Sequence, residues 1–211
     1  MVMEIKKASE LEKNVSHDIS SIFVDGFGEH LTFFSKKRET LTAALAHMFV
    51  TEVFYVAIID GEIAGITACT DGHILSVHPN KQELRKHLGF VKGTFAYYVF
   101  NREFKKPPIE TGSGKVSIEF VATSPAFQGK GVGTAILEHL LSSPTFTEYI
   151  LEVADTNTKA MNLYRKLGFK EFTRKKQAFR KLSGVNYRVY MKCKTNDVHI
   201  YDVSTFIYPF S

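Results

Sequence analysis

Residues 128–134 read Gln128-Gly129-Lys130-Gly131-Val132-Gly133-Thr134, between a strand-like run at 116–122 and a run carrying Val132, Ile136, Leu137, Leu140 and Leu141. The spacing of the second run is that of an amphipathic helix, and the first amides of a helix have no acceptor within it. A bound anion would satisfy them. Glycines at 129, 131 and 133 open backbone conformations closed to other residues and let main-chain amides approach phosphate oxygens, while the helix dipole favours negative charge there. The stretch therefore reads as strand, glycine-rich turn and helix, suited to a pyrophosphate. A glycine-rich turn with no ligand is the alternative.

Two other phosphate-binding patterns fail. Gly112-Ser113-Gly114-Lys115 imitates part of a P-loop, but Ile109 stands where the first glycine belongs and Val116 where the Ser or Thr belongs. The 129–133 run is GxGxG rather than GxGxxG, and Ser124-Pro125-Ala126-Phe127 separates it from the strand, so a dinucleotide turn fits poorly.

Upstream, Ile19, Ile22, Phe23 and Phe27 recur at helical spacing, as do Leu41, Leu45, Met48 and Phe49. The β-rich run 53–59 ends at Asp60-Gly61, a two-residue turn signal, and a second apolar run follows at 63–69, which predicts a hairpin. From 74 to 106 the pattern is helical, with Leu84, Leu88, Phe95, Tyr98 and Val99 expected to be buried, and it closes at Pro107-Pro108. Residues 111–114 read as a flexible loop.

Downstream, 149–153 is a strand and 156–167 a helix, with Asp155 or Thr156 as N-cap and Gly168 just past its end. Two strands, 169–179 and 187–193, are joined through Ser183-Gly184. The order α-α-β-β-α-β-α-β-α-β-β predicts an α/β (α+β) domain, a mixed sheet with helices on both faces.

The 211 residues, 44% hydrophobic and 23% charged, are those of an ordinary globular chain, which excludes a disordered, collagenous or disulfide-scaffold protein. One domain over 1–194 is expected. Residues 1–13 are charged and lack a secretory apolar stretch, and no segment reaches membrane-span length, so a cytoplasmic protein without membrane contact is expected. A net charge of +5 favours anionic partners. Basic and aromatic residues do not interleave as a base-stacking platform would, which argues against nucleic acid. Cys69 and Cys193 lack metal-ligand spacing and read as reduced core thiols, with no metal site.

The 128–133 run resembles the Q/R-x-x-G-x-G/A acetyl-CoA signature of the GNAT N-acetyltransferase superfamily. Ser117-Ile118-Glu119-Phe120-Val121-Ala122-Thr123-Ser124-Pro125 looks like that family's fourth strand. Leu151-Glu152-Val153, followed by Asn157, Ala160, Tyr164 and Leu167-Gly168-Phe169, looks like its next strand and helix. The resemblance covers residues 50–193 or so and is most specific in the C-terminal half. It implies a mostly antiparallel sheet splayed between strands four and five, with the pantetheine arm of acetyl-CoA lying in the gap. It further implies main-chain contacts from Val121 and Thr123 and a pyrophosphate held by Gln128, Gly129, Lys130, Gly131, Val132, Gly133 and Thr134. Asn157, Ala160 and Tyr164 would run along the cofactor.

Acetyl transfer to an amine needs a neutral nucleophile, stabilisation of a developing oxyanion and a proton for the departing thiolate. The resemblance makes Tyr164 the proton donor; a core aromatic is its bland alternative. The Val121 amide would hydrogen-bond the thioester carbonyl. Glu119, two residues before Val121 and expected on the same strand face, is the candidate base, directly or through water; an exposed strand carboxylate is the other reading. Arg174-Lys175-Lys176 with Arg180-Lys181 reads as a solvated basic ribbon. His30, Phe33 and Phe34 lie where the family usually forms its acceptor pocket, and ordinary packing explains the aromatics equally well.

The implied activity is transfer of an acetyl group from acetyl-CoA to a primary amine of a small molecule or peptide, directly within a ternary complex. A non-catalytic acyl-CoA-binding sensor or regulatory module is the alternative. The 74–108 segment is longer than the family's connecting helix. The apolar tail, 195–211, is expected to dock on its own domain or on a second subunit, making a homodimer.

Overall fold

Asp60 and Gly61 both take positive φ, 51° and 82°, as a tight two-residue hairpin turn requires. They join β2 (Phe54–Ile59) to β3 (Glu62–Thr70). The computed structural model to which this hairpin belongs describes residues 2–105, 110–112, 114–177 and 184–195. An N-terminal strand, β1 (Met3–Lys7), pairs antiparallel with β2. The sequence reading missed β1, and with it the strand that makes the one at 115–123 fourth in line.

The remaining strands are β4 (Lys115–Thr123), β5 (Glu148–Ala154), β6 (Lys170–Lys176) and β7 (Tyr187–Lys194), in the order β1-β2-β3-β4-β5-β7-β6. Every pair is antiparallel except β4 with β5. A parallel pair needs a crossover connection, and α5 (Val132–Leu141) supplies it. The expected mixed, mostly antiparallel sheet is thus present.

Helices cover both faces. α1 (Ser16–Phe27) and α2 (Arg38–Leu45) bury Ile19, Phe23, Leu41 and Leu45 against Phe54, Val56 and Ile66. On the other face α5 and α6 (Thr158–Lys166) bury Leu137, Leu140, Met161 and Tyr164 against Val116, Ile118, Leu151 and Val153. The alternation of the strands divides these residues between the two clusters.

The long helix expected over 74–106 is two helices, α3 (Lys81–Leu88) and α4 (Phe90–Glu103). Asn80 caps α3 by accepting from the amides of Gln82 and Glu83 at 2.8 and 3.2 Å. Gly89, at φ 78° and ψ 167°, breaks the chain between them. The break resets the helical phase. Leu84 is buried as expected and Leu88 and Val99 partly so, but Phe95 and Tyr98 are 51% and 59% exposed; Gly93, Ala96 and Phe100 face the core instead. The hairpin crosses tightly, since a Cβ on Gly93 would lie 2.5 Å from Arg85 Cα.

β6 is exposed along its whole length, and Arg174 forms a bidentate pair with Glu171 at 2.7 and 2.8 Å, as a solvated ribbon would. Arg180-Lys181, Pro107-Pro108, Ser113 and Ser183 lie outside the described residues, as does the expected tail apart from Thr195. Cys69 and Cys193 are buried. Among the described residues no helix is long and apolar enough to cross a membrane.

Candidate active site

The parallel pairing of β4 and β5 runs from Lys115↔Glu148 to Ile118↔Leu151 and goes no further. Beyond it β4 stays bound to β3 as far as Gly65↔Thr123, and β5 to β7 as far as Ala154↔Arg188. The two strands therefore part. Their facing edges carry backbone groups free of each other, and Val121 and Thr123 lie on the β4 edge.

A bulge shapes that edge. Ala68↔Glu119 and Ile66↔Ala122 leave Thr67 opposite two residues, and Phe120 takes a φ of 56°. Thr67 Oγ1 donates to the Glu119 carbonyl at 3.0 Å. The extra residue switches the side-chain parity. Phe120 joins the cluster of α1, whereas Val121 packs with the cluster of α5 and α6. Glu119 lines a cavity on the α1 side. The expectation that Glu119 and Val121 share a face is thereby corrected: the bulge puts them on opposite faces.

The cavity has a volume of about 530 Å³. Phe120 lines it, with the rings of Phe23, Phe27 and Phe104 at 5.4, 6.2 and 5.5 Å, all edge to face. Within this apolar wall Glu119 Oε2 accepts from Ser76 Oγ at 2.5 Å, while Oε1 is buried without a partner. Burial pushes the Glu119 carboxyl up from its ordinary range, and the hydroxyls of Ser76 and Ser117 oppose this only in part. Arg188 reaches from β7 to Glu103 of α4 and Glu152 of β5, at 3.1 Å each. His30 also lines the cavity; Phe34 is buried in the core and Phe33 is exposed.

On the opposite face Gly131 is the N-cap of α5 in the left-handed conformation, and no side chain caps the helix. Gly129 and Gly131 each have φ 78°, and a Cβ on either would meet nothing within 4 Å. The amides of Val132, Gly133 and Thr134, at the first turn, have no intrahelical acceptor. The loop from Gln128 to Gly131 is exposed, with Lys130 Nζ 4.8 Å from the Phe127 ring centre. These are the features of an open cradle for a phosphate-bearing ligand.

Helix α6 passes beside this cradle: a Cβ on Gly133 would lie 3.5 Å from Leu163 Cδ2. Its N-cap is Asn157, which accepts the Ala160 amide at 3.1 Å, so the expected cap at Asp155 or Thr156 is corrected. Asn157 can bond the backbone inside its own turn, whereas Asp155 Oδ1 is taken by the Asn186 amide at 3.0 Å. Ala160 packs partly buried against the cluster that holds Tyr164, which is 6% exposed with its ring 6.0 Å from Phe169. Burial pushes the Tyr164 phenol up to about 12. The fold thus brings 128–134, Val121, Ala160 and Tyr164 to one face and Glu119 to the other, across the parting strands.

Ser76, Glu103, Glu152 and Arg188 were missed from sequence. Their only local signal is a carboxylate, Glu152, within the otherwise apolar run 149–154 of β5. The contacts themselves span 43 residues for Ser76–Glu119 and 85 for Arg188–Glu103.

The family model described as "Acetyltransferase (GNAT) family" matches residues 27–169. Over 89 residues the chain is 30% identical to the N-alpha-acetyltransferase RimI of Mycobacterium tuberculosis, covering 42% of this chain and 53% of that protein. The chain therefore spans about half the length of this curated relative. An N-acetyltransferase from Staphylococcus aureus Mu50 superposes with a TM-score of 0.60 at 17% identity, over 90% of this chain and all of that one (100%). YncA of Salmonella typhimurium, solved with its cofactor acetyl-CoA, gives 0.53 at 15% identity, over 92% and 95%. These two likenesses establish the fold.

Proposed function

Since this chain belongs to the GNAT acetyltransferase family, we propose that it is an acetyl-CoA-dependent N-acetyltransferase acting on a primary amine of a small molecule or peptide by direct transfer in a ternary complex. The observation that carries this reading is the parting of β4 and β5, which leaves a phosphate cradle on one face and a carboxylate in a cavity on the other. The transferase unit is 1–194, working in the cytoplasm.

In this reading the amides from Gln128 to Thr134 hold the pyrophosphate, Lys130 adds charge, and the main chain of Val121 and Thr123 pairs with the pantetheine arm. Asn157 and Ala160 flank the arm along α6. Bound acetyl-CoA supplies an acetyl group activated as a thioester. Glu119 takes a proton from the incoming ammonium at Oε1, the oxygen Ser76 leaves unused. Its raised pKa makes it a stronger base than an exposed carboxylate. The Val121 N–H donates to the carbonyl oxygen as charge grows there.

Transfer forms the amide N–C bond and breaks the C–S bond; the sulfur leaves as a thiolate hydrogen-bonded by Tyr164, and the second amine proton passes to water. A phenol near 12 faces a thiol of about 8.5. Tyr164 therefore works chiefly as a hydrogen-bond donor to the thiolate, complete transfer being uphill. The same weak acidity favours the rival, a non-catalytic acyl-CoA-binding sensor.

Titration calorimetry with acetyl-CoA, coenzyme A and NADH at fixed salt, followed by thiol release with amines, tests the reading. Micromolar binding of acetyl-CoA but not NADH, with amine-dependent thiol release, is expected. Binding without release from any amine would leave the sensor, and no binding would remove both.

A further inference from the structure

We propose that the acceptor is a small apolar monoamine, an aryl or branched-alkyl group bearing one primary ammonium and no carboxylate, seated in the cavity with its nitrogen at the Glu119 carboxylate. This rests on the transferase reading and names the substrate class of its acceptor site.

The wall decides the body of the ligand. Phe23, Phe27, Phe104 and Phe120 present ring edges and faces to the same space, and Val99 and Leu31 extend the apolar lining. A volume of about 530 Å³ is that of a small-molecule site. Polar groups placed against these rings would lose water without gaining partners. A flat or branched hydrocarbon gains from the contact.

The anchor decides the nitrogen. Glu119 is the one carboxylate of the lining that no cation among the described residues pairs, since Arg188 holds both Glu103 and Glu152 and only the hydroxyls of Ser76 and Ser117 stand against Glu119. A buried carboxylate without a cation is costly until one arrives. An ammonium brings both the donor and the opposite charge, and one such group is enough.

Arg188 decides what is refused. It is the only guanidinium or ammonium among the described residues that line the cavity, and both Glu103 and Glu152 already hold it. A carboxylate on the ligand would find no free cation and would face three carboxylates. An amino acid should therefore bind far worse than the amine that lacks its carboxylate. The surplus ammoniums of a polyamine would meet rings and two carboxylates that Arg188 already holds.

The test compares 2-phenylethylamine, phenylalanine, spermidine and an alanine-initiated peptide by initial rates of thiol release at saturating acetyl-CoA. The expected result is a kcat/KM for 2-phenylethylamine at least tenfold above each of the others, with F104A raising its KM about tenfold and leaving acetyl-CoA affinity unchanged. Spermidine, phenylalanine or the peptide matching or exceeding it would overturn the proposal while leaving the transferase reading intact. Calorimetry of 2-phenylethylamine against the coenzyme A-loaded protein separates the two. Binding that F104A weakens, with no turnover of any amine, supports the ligand class and defeats the transferase reading; no binding overturns the ligand class.

Discussion

Glu119 and Val121, two positions apart on β4, face opposite sides of the sheet because Phe120 between them takes a φ of 56°. A non-glycine residue in that region costs on the order of 1–3 kcal/mol. The ring of Phe120 offsets the cost through contacts with Phe23, Phe27, Phe54 and Phe104. The bulge turns a carboxylate toward one cavity while the neighbouring strand edge stays open to the other face.

Replacing Glu119 by Gln should stabilise the fold and disable the reaction. The carboxyl has a higher pKa folded than unfolded, because burial disfavours its charge. Its contribution to stability is therefore fully present below the unfolded value and lost as the pH rises through the folded one. E119Q should melt with wild type at low pH and above it at neutral pH. Wild-type kcat/KM should rise over the same interval, and E119Q should lose about 100-fold or more of it. Wild type melting with E119Q or above it at neutral pH would refute this.

Tyr164→Phe separates a proton donor from a core ring. No hydrogen bond ties Tyr164 Oη to another described residue, so the change should alter stability by about 1 kcal/mol or less. Acetyl-CoA affinity should also hold, while kcat falls about 100-fold. Because burial keeps the proton on Tyr164 to about pH 12, wild-type kcat should show no alkaline fall traceable to this group. Stopped assays of kcat across pH, beside melting curves, read both effects.

Local patterns made part of this legible. The Asp60-Gly61 turn, the apolar stripe of Val132, Ile136, Leu137 and Leu140, and the glycines at 129 and 131 act within a few residues of themselves. Strand β1 was hidden because Met3 and Ile5 alternate over only five residues among charges. The Phe120 bulge depends on the register of β3, which no stretch of β4 encodes. The cavity is less legible still: Ser76, Glu103, Glu119, Glu152 and Arg188 come from five separate segments, and only the folded sheet brings them together.

Gly131→Ala tests the cradle against a built-in control. Gly131 and Gly61 have nearly the same φ, 78° and 82°, and a Cβ on either meets nothing within 4 Å. Both substitutions should cost roughly 1 kcal/mol of stability through backbone strain alone. Only the one at 131 adds a methyl group beside the α5 amides. It should weaken acetyl-CoA binding at least tenfold by calorimetry, whereas Gly61→Ala should leave binding unchanged. Equal affinities for the two variants would place the pyrophosphate elsewhere.

The Gly89 break predicts which face of α4 carries stability. Counting helical phase onward from Leu84 would put Phe95 in the core; restarting it at Phe90 puts Phe100 there. Phe100 is buried between Phe34 and Phe104, with ring centres 5.6 and 6.1 Å away. Its truncation to Ala should cost about 3–5 kcal/mol. Phe95 touches Phe33 and Phe34 but leaves half its surface in water, so Phe95→Ala should cost about 1 kcal/mol or less. Chemical denaturation of the two variants decides between the phases, since a continuous helix would reverse their order.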